Sequence, residues 1–363
     1  MYENQTENTI LKRMLENVPS DVDKREGSIV YDSTMPTAIE IMLMYAALDF
    51  FLKNTFGDTA DRPFLVERAK ERSLTPKKAT KAKVRGVFTP ANISVPIGSV
   101  FSYEDLDYTV TEKIKDGEYY LICNTEGAIG NQPAGKMIPN EYINRLETAT
   151  LTEVTVPGDD EEDTEVFRAR YLASFNSQAY GGNIPDYKEK VNACSGVGGC
   201  KVYPAWQGGG TVKVVFMTSE FKPPTDEFVR ELQNLIDPVP FNGQGLGTAP
   251  VGHRVTVLGA ENSKVAIRFN IVAESDITNY QSKITSILDG YFLELNKGWQ
   301  NTKKDSFSGI TNRGITIRIS QIESRILAID GITDIAHTEL NGVEENLELG
   351  VDQLAVRGDI VWQ

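Results

Sequence analysis

Histidine is the scarcest reactive residue in this 363-residue chain: His253 and His337 are the only two, and neither has the cysteine, histidine or glutamate spacing that a zinc site needs. A zinc enzyme is close to excluded, and no Gly-x-Ser-x-Gly elbow supports a serine nucleophile. Cysteine is almost as rare. Cys123, Cys194 and Cys200 leave an odd thiol and no regular framework, so a reducing compartment without disulfides is expected. Cys194 and Cys200 also lack the Cys-x-x-Cys spacing of a redox pair. Basic charge is short, because 37 Lys and Arg against 51 Asp and Glu leave −14, which argues against a general nucleic-acid surface. The N-terminus has no basic and apolar signal regions. Its longest unbroken apolar stretch, Ile41 to Leu48, falls far below the roughly 20 residues of a bilayer span, so no membrane insertion is expected.

What the chain does have is an over-apolar helix near its start. Pro36 suits a first helical turn and Thr37 with Glu40 reads as a capping box, so the sequence predicts a helix from Ala38 to Phe56. One amphipathic stripe would need apolar residues every three or four positions, yet apolar side chains here point in almost every direction. Such a helix is either the core of its own domain or is shared with other subunits. On the second reading the candidate partner interface is Ile39, Met42, Met44, Tyr45, Leu48, Phe51 and Leu52. From Arg62 to Arg85, nine basic residues face only Glu67 and Glu71, a solvated segment or a docking patch for an acidic neighbour.

Periodicity divides the rest. Residues 5–18 and Pro63 to Leu74 read as flanking helices, and alternation with turns from Val84 to Val156 reads as a small β domain. The acidic run Asp159 to Asp163 opens a helix to about Phe175, where carboxylates at the helix start favour capping over divalent-metal binding. Two αβ segments follow. Val191 to Val197 and Ile326 to Ile332 both end a helix at Gly and turn straight into a β-branched strand, which suggests a weak internal duplication. The expected class is therefore α+β multidomain: an N-terminal helical segment (1–83), a small β domain (84–156) and two similar α+β domains (157–260 and 261–363). Gly243 to Gly247 is a connector, not a dinucleotide loop, because a strand and not a helix follows it. No cofactor and no catalytic residue is expected.

An ordered set of short motifs carries a resemblance over nearly the whole chain. They include Arg25-Glu-Gly-Ser-Ile-Val-Tyr-Asp32, Val95-Pro-Ile-Gly98, Gly127-Ala-Ile-Gly-Asn131 and Gly158-Asp-Asp-Glu-Glu-Asp163 with Phe167-Arg-Ala-Arg170. Gly181-Gly-Asn-Ile-Pro-Asp-Tyr187, Gly247-Thr-Ala-Pro-Val-Gly252 and Gly331-Ile-Thr-Asp334 continue them. Together they resemble the baseplate J-like proteins of contractile phage tails and tailocins; His253 stands where the family has a small residue, and Asp61 to Glu67 follow it loosely. The resemblance implies a structural wedge subunit. It would pair with a second copy of itself and with other wedge proteins through its N-terminal helices, and meet neighbouring wedges through its C-terminal parts. The ring so formed would surround the hub and spike, near the sheath, after assembly in the bacterial host cytoplasm. Two other readings compete: a cell-wall hydrolase using Asp159 or Glu162, and a receptor-binding module presenting Tyr103, Tyr108, Tyr119 and Tyr120.

Overall fold

The computed structural model describes residues 2–175, 179–274, 276–301 and 314–362. They form an α+β multidomain chain that splits into two compact units, one of residues 1–77 with 162–177 and one of residues 78–161 with 178–363.

The first unit is helical: α1 (Glu7–Glu16), α2 (Ile29–Thr55), α3 (Arg62–Lys70) and α4 (Thr164–Ala173). The long helix starts seven residues before Pro36, not at it. Ser28 caps the helix by accepting from the Tyr31 amide at 3.2 Å, which satisfies a first-turn donor. Pro36 therefore lies inside the helix, where its missing N–H forgoes one backbone bond and the Thr37–Glu40 capping box has no role. At 27 residues α2 is long and apolar enough to cross a membrane by length and composition, well beyond the Ile41 to Leu48 stretch. Against α1 it closes a small core of Ile10, Leu11 and Ala38, joined by Met14, Leu15, Tyr31, Met35, Ile41, Met42 and Tyr45. A second small core joins Ala60, Leu65 and Ala69 to Phe167 and Tyr171 of α4. The Tyr171 ring lies so near Gly57 that a Cβ there would collide with it.

In the second unit, β1 (Lys81–Thr89), β2 (Val100–Tyr103), β3 (Leu106–Lys115), β4 (Glu118–Glu126), β5 (Gly135–Pro139) and β6 (Thr148–Val156) close an antiparallel barrel in the order β1-β4-β3-β2-β5-β6. Closure leaves no sheet edge, and the alternating buried residues of β1 fill the inside with Val84 and Phe88. Next come α5 (Ile184–Asn192), β7 (Val197–Pro204), β8 (Thr211–Thr218), α6 (Asp226–Ile236) and β9 (Arg254–Gly259), with sheet order β7-β8-β9. After Ala260 the chain forms β10 (Glu261–Ala273), α7 (Gln281–Lys297), β11 (Thr316–Ile317), α8 (Ile319–Leu327), β12 (Ile332–Leu340), β13 (Leu347–Glu348) and β14 (Gln353–Trp362). Its main sheet runs β12-β10-β14.

The two α+β layers are alike in space. In each, a central strand (β8 or β10) has one antiparallel neighbour (β7 or β12) and one parallel neighbour (β9 or β14). Their chain orders differ: α5-β7 precedes the β8-α6-β9 unit, whereas α8-β12 interrupts the β10-α7-β14 unit. The repeated junction is real, but the helices do not end at the glycines. They stop at Asn192 and Leu327 with Ala193 and Ala328 as caps, and Gly196 and Gly331 follow three residues later with φ of 76° and 92°. Left-handed backbone of this kind costs an L-residue roughly 1–2 kcal/mol. A Cβ would also crowd Phe228 at position 196 and the Tyr280 hydroxyl at position 331. Gly196→Val and Gly331→Val should each lower the melting temperature by several degrees in a calorimetric scan, while Ala193→Gly, in an ordinary right-handed position, should lower it by less.

Candidate interface on the long helix

Position along α2 decides which of its apolar side chains are used within the chain. Tyr31, Met35, Ala38, Met42 and Tyr45 recur at alternating four- and three-residue spacing and face α1. Asp49 continues the stripe, and its carboxylate accepts from the Tyr2 amide at 3.1 Å. Tyr2 also lays its ring 5.2 Å from that of Tyr45. At 100° per residue, Met44 and Phe51 fall on the far side of the helix from this seam and Leu48 beside them on the flank. They are 65%, 45% and 65% exposed. Leu43 and Phe50 flank them in the open, with Phe50 set edge-on to Phe64 at 5.6 Å.

The seven candidate interface residues therefore divide. Met44, Leu48 and Phe51 form the open stripe; Met42 and Tyr45 belong to the α1 seam; Ile39 and Leu52 are half-buried between. Leu43 and Phe50 belong with the open stripe and are additions to the sequence reading. A helical wheel with the 4-3 seam removed first would have found them. No charged residue interrupts this open face from Leu43 to Phe51, since Asp49 lies on the seam.

The competing sites lose their groups to internal contacts. Glu162 is the most buried carboxylate of the acidic run, its side chain 4% exposed. It receives Arg170 at 2.9 and 2.7 Å and the Lys77 amide at 3.0 Å. Burial works to raise its pKa, but the Arg170 bonds and the Lys77 amide outweigh it and hold the carboxyl below the usual range. Asp159 accepts from the Gly196 amide, Asp160 from the Ala128 amide, and Asp163 caps α4 through the Glu165 amide. Tyr108 and Tyr119 are buried inside the barrel and Tyr103, half-buried, packs against the same core, whereas Tyr120, next to Tyr119 and so on the opposite face of β4, is covered with the Lys83 ammonium 4.3 Å over its ring.

The basic stretch is also largely spent at home. Arg62 donates to the Glu162 carbonyl, Lys70 meets Glu67, Arg72 donates to the Ser174 carbonyl, Lys83 meets Glu231, and Arg85 lies between Glu118 and Glu153. His253 stacks on Tyr187 and shares a 2.9 Å hydrogen bond with it, and burial pushes the Cys200 thiol up to about 12. Among the described residues no group of three or more His, Cys, Asp or Glu could hold a metal ion. The Gly243 to Gly247 loop is a connector pinned by Asp237, which accepts from the Gly243 and Val255 amides at 2.8 Å each.

A sequence model of the baseplate J-like central domain matches residues 179–259, and one of the baseplate J-like C-terminal domain matches 265–363. The chain is 35% identical to the uncharacterized protein YqbT of Bacillus subtilis strain 168 and 33% identical to the phage-like element PBSX protein XkdT of the same organism. Each alignment covers 99% of this chain and 98% of the relative. A baseplate chain in the cryo-EM structure of the anti-feeding prophage, 6-fold symmetrised, aligns over 97% of this chain and 90% of its own, at 9% identity and a TM-score of 0.41, too loose a likeness to carry an inference.

Because Glu162 has a depressed folded pKa, its contribution to stability is complete above the ordinary glutamate pKa of about 4.3 and is lost as the pH falls through the lower folded value. Glu162→Gln should therefore cost about 1.5–3 kcal/mol at pH 7, the range for hydrogen bonds to charged groups. In urea titrations that difference should begin to shrink as the pH falls below about 4.3 and vanish only below the lower folded value, where the folded wild-type carboxyl is itself protonated. A difference independent of pH would mean that the ion pair is not its source.

Proposed function

The chain belongs to the baseplate J-like family, and we propose from that premise that it is a structural wedge subunit of a phage or phage-like contractile tail baseplate, binding partners through the open face of α2. The observation that carries the reading is the stripe of Met44, Leu48 and Phe51 with Leu43 and Phe50 beside it. Contiguous exposed apolar surface of this kind marks interaction sites on soluble proteins. The family match and the phage-element relative support the particle, and the engagement of Glu162 by Arg170 and the Lys77 amide favours packing over hydrolysis.

The first occupant of the stripe on this reading is a second copy of the chain, followed by other wedge proteins, with neighbouring wedges, hub and spike reached by the remaining surfaces. Assembly takes place in host cytoplasm and ends in the tail baseplate. Residues 1–83, 84–156, 157–260 and 261–363 act as four modules, although α4, encoded in the third, packs with α3.

Substitution at Leu48 and Phe51 tests this without touching the α1 seam. Both side chains are exposed in the single chain, so Leu48→Asp and Phe51→Asp should leave the melt within about 0.5 kcal/mol of wild type, the usual range for surface changes. Sedimentation should show wild type self-associating at micromolar concentration and both variants monomeric. The variants should also fail to copurify with co-expressed structural proteins of the same particle. Wild type that stays monomeric, with copurification unchanged in the variants, overturns the reading; flotation of wild type with neutral lipid vesicles, abolished by the same changes, would assign α2 to a membrane instead.

A further inference from the structure

The two α+β layers of the second unit meet across one face of the β7-β8-β9 sheet. Even-numbered residues of β7 and β8, such as Cys200, Val202, Val214 and Phe216, share a core with α5 and α6. Odd-numbered Val215 and Met217 belong to the core of the C-terminal layer. At Val215 and Met217 the joint is apolar and closed to water. Its centre holds Lys201, 1% exposed, whose ammonium donates to the Val351 carbonyl at 2.5 Å and lies 4.3 Å over the Trp299 ring. Among the described residues no carboxylate hydrogen-bonds to it. Asp352, next in the chain, is taken by the Tyr203 hydroxyl and by Lys213 at 2.9 Å.

We propose that this joint is built to open: Lys201 is a cation held in a dry seam so that the two α+β layers can part about the Ala260 link without either unfolding, the ammonium regaining water as the 350–353 turn lets go. Burial strips an ammonium of its hydration, and one carbonyl with one ring face returns only part of it. A methionine of similar volume would fill the seam without that penalty. The partners are local and separable. The turn is fastened by two bonds of its own, Gln353 amide to Gly350 carbonyl at 3.1 Å and Gly350 amide to Gln353 Oε1 at 2.8 Å, and these loosen once Lys201 releases the Val351 carbonyl between them. Each layer retains its own helices on its own sheet. Ala260 alone separates β9 from β10.

Charges around the seam set the pH dependence. Burial lowers the Lys201 pKa to about 8, with Asp352 opposing and Lys188 of α5 adding to the shift. Burial and Asp352 both push the Tyr203 hydroxyl up, so it stays protonated over the same interval. In the open state Lys201 titrates near the ordinary value of about 10.4. The open state thus binds more protons between those values, and the joint tightens as the pH rises through them.

Hydrogen exchange of the 350–353 turn, corrected for intrinsic rates, reads the opening directly in the full chain. Wild type should show protection rising roughly tenfold between pH 7 and 9.5, while β1 and β4 of the barrel do not change. Lys201→Met should exchange more slowly than wild type at pH 7 and show no such rise. Asp352→Asn, which removes the one opposing charge, should loosen the turn at pH 7. A flat wild-type profile, or a turn that exchanges faster in Lys201→Met, would show that Lys201 is an ordinary stabilising contact and overturn the proposal. Should Lys201→Met fail to fold, the wild-type profile decides alone.

Discussion

One helix cannot bury two opposite faces against one partner, and the first unit depends on that limit. The 4-3 seam of α2 matches a single short helix, α1, whose buried contribution is Ile10 and Leu11 with Met14 and Leu15 at the edge. Each such side chain contributes roughly 1.5–3 kcal/mol on burial. That is enough to hold two helices together and too little to cover 27 residues of helix on all sides. Phe51 and Met44 stay in water because nothing in the described first unit reaches them. The same unit spends its polar groups freely to anchor α4: Arg168 donates to the Gly57 and Ala60 carbonyls and Arg170 to that of Thr75. Polar groups hold α4 in place, while apolar surface is left open on α2.

Strands and helices with a clear period were legible from sequence. In α6 the buried Phe228, Leu232 and Ile236 recur every four residues, and the alternation of Val84 to Phe88 marks a β domain, because period 2 and period 3.6 are set by backbone geometry alone. The start of α2 was not legible. Pro36 looks like a beginning only if the polar residues before it are loop, and the Ser28 cap reverses that with one hydrogen bond. The tyrosines of the barrel misled for a related reason: their hydroxyls suggest surface, yet the Tyr108 hydroxyl donates to the Gly130 carbonyl and the Tyr119 hydroxyl accepts from the Val95 amide, so each ring is buried with its polar end satisfied. The candidate interface was half legible. Apolar surplus could be counted, but which apolar residues were surplus required knowing that α1 claims the Tyr31 to Tyr45 stripe.

The likeness of the two α+β layers has a local physical basis that does not need tandem copying of a whole domain. In both, a nine-residue helix ends at a non-glycine cap, two further backbone bonds tighten the exit (Cys194 amide to Val191 and Val197 amide to Cys194; Ile329 amide to Ile326 and Ile332 amide to Ile329), and a left-handed glycine aims the chain into a strand. That strand then pairs antiparallel with a central strand already committed to a parallel neighbour. Given the junction, the three-stranded arrangement follows whether the αβ unit is placed before the βαβ unit or inside it. The difference in chain order has its own consequence. The turn before β14 belongs to the C-terminal layer through the pairing of β14 with β10, while its Asp352 side chain is held from the neighbouring layer by Tyr203 and Lys213. One turn therefore carries the docking of the two layers, which is where a buried lysine has the most leverage over it.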